Sequence, residues 1–123
     1  MPYTINVLSL SVFTVTLAIG QLLFKHVGNA IRGMGATDAA AELMRQPAFY
    51  AALAIYGVAT LLWVWILARV SLMQAYPWVA AGVIIVPLLS SYFFGERVGP
   101  LFWPGAGLIA FGLVLTQYSG RPV

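Results

Sequence analysis

The chain has 123 residues, 62% hydrophobic and 7% charged, with a net charge of +3 and no cysteine. A soluble domain of this length has too little interior for so much apolar surface, so the composition specifies an integral membrane protein, and the long apolar spans read below make it all-α. One histidine and three acids make neither a metal cluster nor a catalytic triad, disulfides are excluded, and six scattered basic residues form no nucleic-acid patch, which argues against an enzyme and against a cofactor.

The first predicted span runs from Thr4 to Phe24 and is closed by Lys25 and His26. About 20 apolar residues cross the hydrocarbon core, and this segment meets that length. It lacks a basic n-region, its apolar part is too long for a signal peptide, and no small-residue cleavage site follows directly, so a retained span is expected. The hydroxyls of Ser9, Thr14 and Thr16 can return to the helix backbone, whereas the Gln21 amide needs a partner or water. Val27–Gly35, with three glycines, reads as a loop.

Thr37–Gln46 reads as a short helix in the membrane interface. Asp38, Glu42 and Arg45 share one face, and Ala40, Leu43, Met44 and Pro47 lie opposite. The second span covers Pro47 to Ala68 and ends at Arg69. Phe49 and Tyr50 at one end and Trp63 and Trp65 at the other suit aromatic belts, although the two tryptophans also fit a ligand wall.

From Val70 to Gly95 the chain carries no charge, and its third span is placed at 72–94. Ala80, Ala81 and Gly82 give a smooth face for close backbone approach. Pro87 cannot donate to the Val83 carbonyl and so bends the helix or calls in another group. With Tyr76, Pro77 and Trp78 at its mouth, this helix reads as a pathway lining or as a kinked packing helix. Glu96–Pro100 is a tight polar turn, in which Glu96 reads as a hydrated helix-start residue. The fourth span, Leu101 to Tyr118, offers Gly105, Gly107 and Gly112 as close-approach positions.

The expected architecture is one domain, residues 1–123, of four transmembrane helices (about 4–24, 47–68, 72–94 and 101–118) plus the interfacial helix. Four spans put both termini on one side. Lys25, Arg32, Arg45 and Arg97 on the turn side outnumber Arg69 and Arg121 on the terminal side, which favours cytoplasmic turns but also fits dual topology.

Gly20-Gln21-Leu22-Leu23-Phe24-Lys25 closes the first span, Ala75-Tyr76-Pro77 opens the third, and Gly95-Glu96-Arg97-Val98 precedes Trp103, Gly105, Leu108-Ile109 and Gly112 in the fourth. In this order they resemble the small four-span members of the drug/metabolite transporter superfamily, with the small multidrug resistance fold. Among these the chain is most similar to the subunits of the 4-amino-4-deoxy-L-arabinose-phosphoundecaprenol flippase. Proton-coupled exporters of this fold carry a glutamate midway along the first span. Setting Gly20 and Lys25 against the family's glycine and lysine puts Leu17 at that position, and no acid lies inside any span. The departure disfavours proton-coupled export, which needs a buried carboxylate titrating near neutrality.

The resemblance implies transport of a lipid-linked sugar phosphate across the bacterial inner membrane by a homodimer or a heterodimer with a similar small subunit. An amphiphile with an anionic head needs a cation at the membrane edge, hydrogen-bonding groups inside and a seam open to lipid. Lys25 offers the cation, with Gln21 and His26 beside it, and Tyr76 and Trp78 face the sugar or the polyprenyl chain in this expectation. Snorkelling at a span end is the other reading of Lys25. Two rival functions stand beside this one: export of small cations or metabolites by another coupling, and a membrane partner that stabilises an enzyme.

Overall fold

The computed structural model describes residues 3–119, and Arg121 of the charge count lies outside them. All regular structure among the described residues is helical: α1 (Tyr3–Ala30), α2 (Ala36–Arg45), α3 (Pro47–Leu67), α4 (Leu72–Ala75), α5 (Pro77–Phe94) and α6 (Phe102–Ser119). Three helical stretches, Thr4–Ala30, Pro47–Leu67 and Leu72–Phe94, are long and apolar enough to cross a membrane. The shortest has 21 residues, which at ~1.5 Å per residue gives about 31 Å, the thickness of the hydrocarbon core. α6 has 18 residues and spans about 27 Å by the same rise. Its two ends are diluted by Trp103, Pro104, Gly105 and by Thr116, Gln117 and Tyr118.

Without water in the bilayer core, every hydroxyl must find an internal partner. Four of those in α1 do so locally. Ser9, Ser11, Thr14 and Thr16 donate to the carbonyls four residues back at 2.7–2.8 Å. Among the described residues, no buried side-chain nitrogen or oxygen lacks a partner.

α1 is the centre of the packing. It lies against α3 on one side and α5 on the other, and α6 packs on α5. The core joins Leu10 and Phe13 of α1 to Ala59 and Ile66 of α3, with Val70 and Ala75 closing one end. Trp63 stacks on Phe13 with ring centroids 4.6 Å apart, while Arg69 lies over the exposed Trp65 ring at 3.9 Å. The two tryptophans therefore divide: Trp65 is exposed, as an interfacial anchor would be, and Trp63 is half-buried against the core. The outer faces stay apolar and bare, as at Leu61 (74% exposed) and Leu108 (73%), which suits contact with lipid rather than water.

Two local differences from the sequence reading bear on the site. First, α1 does not stop at Phe24 but continues through the expected loop to Ala30. Val27 is buried against the bundle, and the turn is delayed to Gly33, whose φ of 81° only glycine adopts readily. Second, the third span is interrupted at Tyr76, because Pro77 has no N–H for the Met73 carbonyl. Pro87 lies inside α5, which continues past it. α2 forms as expected, with Asp38 in its first turn, Arg45 in its last and no buried residue.

Candidate functional site

Extending α1 to Ala30 places Gln21, Lys25, Gly28 and Asn29 on one stripe, since residues three, four and seven apart share a helix face, and Arg32 in the turn just beyond lines the same cavity. Opposite stand Val86, Pro87 and Ser90 of α5. Between the two helices opens a cavity of about 640 Å³. A second cavity of about 340 Å³ adjoins it and shares Gln21, Val86 and Pro87. Its other walls are Thr14, Leu17, Ala18, Val79, Gly82 and Val83, so the polar mouth leads into an apolar trough.

The mouth is closed by a charge pair. Lys25 Nζ lies 3.0 Å from Glu96 Oε1, and the Ser90 hydroxyl donates to Glu96 Oε2 at 2.5 Å. The backbone explains how Glu96 arrives there. Gly95 ends α5 in the left-handed region at φ 69°, donating its N–H to the Ser91 carbonyl, and the chain turns back over the helix end. The Ser90 hydrogen bond first, and the Lys25 ammonium second, hold the Glu96 carboxyl below its ordinary range. A lowered value means that the clasp is present above the usual carboxylate pKa and is lost only as pH falls through the depressed one. At neutral pH it is fully formed. In the turn after α1, Arg32 donates to the Asn29 side chain at 2.8 Å, a second cation in the same cavity wall.

The α1–α3 contact fixes the stripe. The Gln21 amide donates to the Tyr56 hydroxyl, the Tyr56 ring lies 5.0 Å from that of Phe24, and it passes over Gly20. A Cβ on Gly20 would sit 2.4 Å from Tyr56 Cε2, so only glycine admits the ring at this distance. Gln21 thus has its partner, and its side chain forms the step between mouth and trough.

The expected site residues do not all meet. Lys25 and Gln21 line the cavity, as does Pro87, while Gly82 lines the trough. His26 points the other way, into a shallow apolar depression with Ile19, Phe93 and Phe94. Tyr76 is exposed and borders a hollow between α5 and α6, together with Ala80 and Gly112. Trp78 binds the bundle together: its indole N–H donates to Gln117 at 3.3 Å, and its carbonyl accepts from Thr14 at 3.4 Å. Ala81 is half-buried, and Cβ atoms at Gly82, Gly105, Gly107 and Gly112 would meet nothing within 4 Å in this chain.

Glu96, Ser90, Asn29 and Arg32 line the same cavity and were not among the candidates that sequence reasoning named. One signal was present. The ends of the first and third spans must lie at the same membrane face, which puts the lone Glu96 at the level of Lys25.

The chain is similar to proteins described as "Probable 4-amino-4-deoxy-L-arabinose-phosphoundecaprenol flippase subunit ArnE". That of Pectobacterium atrosepticum is 40% identical over 63 residues, 51% of this chain and 56% of the relative. That of Aeromonas hydrophila is 35% identical over 74 residues, 60% and 65% of the two chains. That of Pseudomonas savastanoi pv. phaseolicola is 29% identical over 96 residues, 77% and 82%. The matches to the first two span less than two thirds of those relatives' length. No protein-family model and no solved structure matches the chain. Together with three helices of spanning length, the similarity makes this a multi-pass inner-membrane protein.

Proposed function

We propose that the chain is a subunit of a lipid flippase that carries a polyprenyl-phosphate-linked sugar across the bacterial inner membrane. The observation that supports this best is the cleft between α1 and α5, basic at its mouth through Lys25 and Arg32 and apolar beyond Gln21. An amphiphile with an anionic head and a hydrocarbon tail matches that order of surfaces. In this reading Lys25 meets the phosphate, Gln21 meets the sugar or the phosphate ester, and the chain lies along Leu17, Val79 and Val83. Tyr76 and Trp78 serve a tail leaving toward α6 or the packing of the bundle, and His26 has no part in the head-group site.

The proposal includes the finer architecture. α6 is the fourth span, its ends lying in the interface, α2 lies flat on the membrane surface, and residues 1–123 form one transmembrane unit. Four helices enclose too little to move a lipid head group alone, so a second small subunit, identical or similar, completes the pathway. The bare faces at Gly105, Gly107 and Gly112, with Ala81 and Gly82, are its contact surfaces in this reading. The reaction is transport, without covalent chemistry on the substrate.

The test is reconstitution into vesicles with a polyprenyl-phosphate sugar in the inner leaflet, scored by its accessibility to an external reagent. Exposure faster than in protein-free vesicles, with the partner subunit supplied if a heterodimer is isolated, is the expected result; equal rates overturn the proposal. Leu17 in the trough adds a prediction about coupling. The purified protein is expected to release no proton on binding tetraphenylphosphonium. Saturable release between about pH 6 and 8, where a tuned buried carboxylate titrates, would restore the cation-exporter reading.

A further inference from the structure

We infer that Glu96 is a specificity-determining residue: the Lys25–Glu96 pair exchanges its partners for a zwitterionic head group, Lys25 taking the phosphate and Glu96 taking an ammonium on the attached sugar. The inference rests on the lipid-phosphate reading above. It begins from a difficulty in that reading. Lys25 is not a free cation but is already neutralised by Glu96 at 3.0 Å. A phosphate that displaced Glu96 would leave a carboxylate unpaired beside it, and like charges at close range oppose binding. A ligand carrying both charges removes that conflict, because each partner of the broken pair is matched at once.

The surroundings fit an exchange better than a fixed clamp. The two side chains are 38% and 48% exposed, so both are reachable from the cavity. They come from different elements, α1 and the turn after α5, and a ligand can part them without unwinding a helix. Ser90 keeps hold of the carboxylate when Lys25 turns away. Arg32, in the turn after α1, supplies a second cation in the wall of the same cavity. Among the described residues Glu96 is the one acid in the cavity lining, so an ammonium entering here has a single carboxylate to meet.

The experiment compares two lipids on the purified full chain in nanodiscs: a polyprenyl-phosphate amino sugar, and the same lipid with its amine acetylated and therefore neutral. Wild-type protein is expected to bind the free amine about tenfold more tightly, the size of one charge-assisted hydrogen bond. Glu96→Gln is expected to bring the two affinities within about twofold of each other. Lys25→Ala is expected to weaken both lipids alike. The double variant Lys25→Glu, Glu96→Lys rebuilds the ion pair and controls for folding; it is expected to keep the melting temperature and lose the free-amine lipid. A preference that survives Glu96→Gln, a wild-type protein that does not tell the lipids apart, or wild-type binding by the swapped variant each makes the pair a structural clamp and overturns the inference alone. Binding of neither lipid by wild-type protein overturns the lipid-phosphate reading and the inference with it.

Discussion

Lys25→Ala is expected to abolish transport of a polyprenyl-phosphate-linked sugar while leaving the protein folded. A phosphate entering a region of low dielectric needs a compensating cation, and hydrogen bonds to charged groups contribute about 1.5–3 kcal/mol each, or roughly 10- to 150-fold. The fold is expected to survive, because Glu96 keeps its Ser90 bond and is nearly half exposed to water once Lys25 is gone. Lys25→Arg is expected to retain part of the activity, since charge matters more than shape for a single phosphate contact. His26→Ala is expected to do little, because its side chain opens on the other side of α1. Vesicle transport rates beside thermal melting of each variant separate these outcomes. If Lys25→Ala transports like the parent, Lys25 is a snorkelling anchor and the phosphate is met by Arg32, Arg45, Arg69, Arg97 or a partner chain.

Gly20→Leu is expected to produce the largest loss of stability among the glycine substitutions. Even the Cβ would lie 2.4 Å from Cε2 and 2.9 Å from Cδ2 of Tyr56, and a leucine adds three carbons beyond it. Helix propensity favours replacing glycine by about 0.5–1 kcal/mol. Overpacking costs about 1–3 kcal/mol, and moving the ring also breaks the Gln21–Tyr56 bond and the Phe24 contact. The clash therefore wins. Gly105→Leu and Gly107→Leu behave differently in the same melting experiment. Nothing in this chain lies within 4 Å of either Cβ position, so the monomer is expected to keep its stability. A loss of association at those positions, measured by crosslinking or mass photometry in detergent, would place the faces against a second subunit; unchanged association would place them against lipid. Equal melting temperatures for Gly20→Leu and the parent would mean that α3 is not held against α1 through Tyr56.

The membrane class and the three long helices were legible from composition and from charge-free runs, because the bilayer imposes a length and forbids unpaired backbone, and both demands are written locally. The back-bonded hydroxyls of α1 and the amphipathic α2 follow from the same local chemistry. The apolar character of the trough was also visible, in the leucine at position 17. What the chain alone did not disclose depends on contacts between distant segments. The loop expected at 27–35 is helical as far as Ala30 because Val27 is buried by the bundle, a gain that no local glycine count records. That extension brings Asn29 into line with Lys25 and sets Arg32 in the turn just beyond. The value of Gly20 lies in Tyr56, 36 positions away, and that of Trp63 in Phe13. Glu96 reads as a solvated turn residue until Gly95 folds it back onto Ser90 and α5 packs beside α1. Two charges that each look like membrane-edge anchors become one clasp only when tertiary packing closes the distance between them to 3.0 Å.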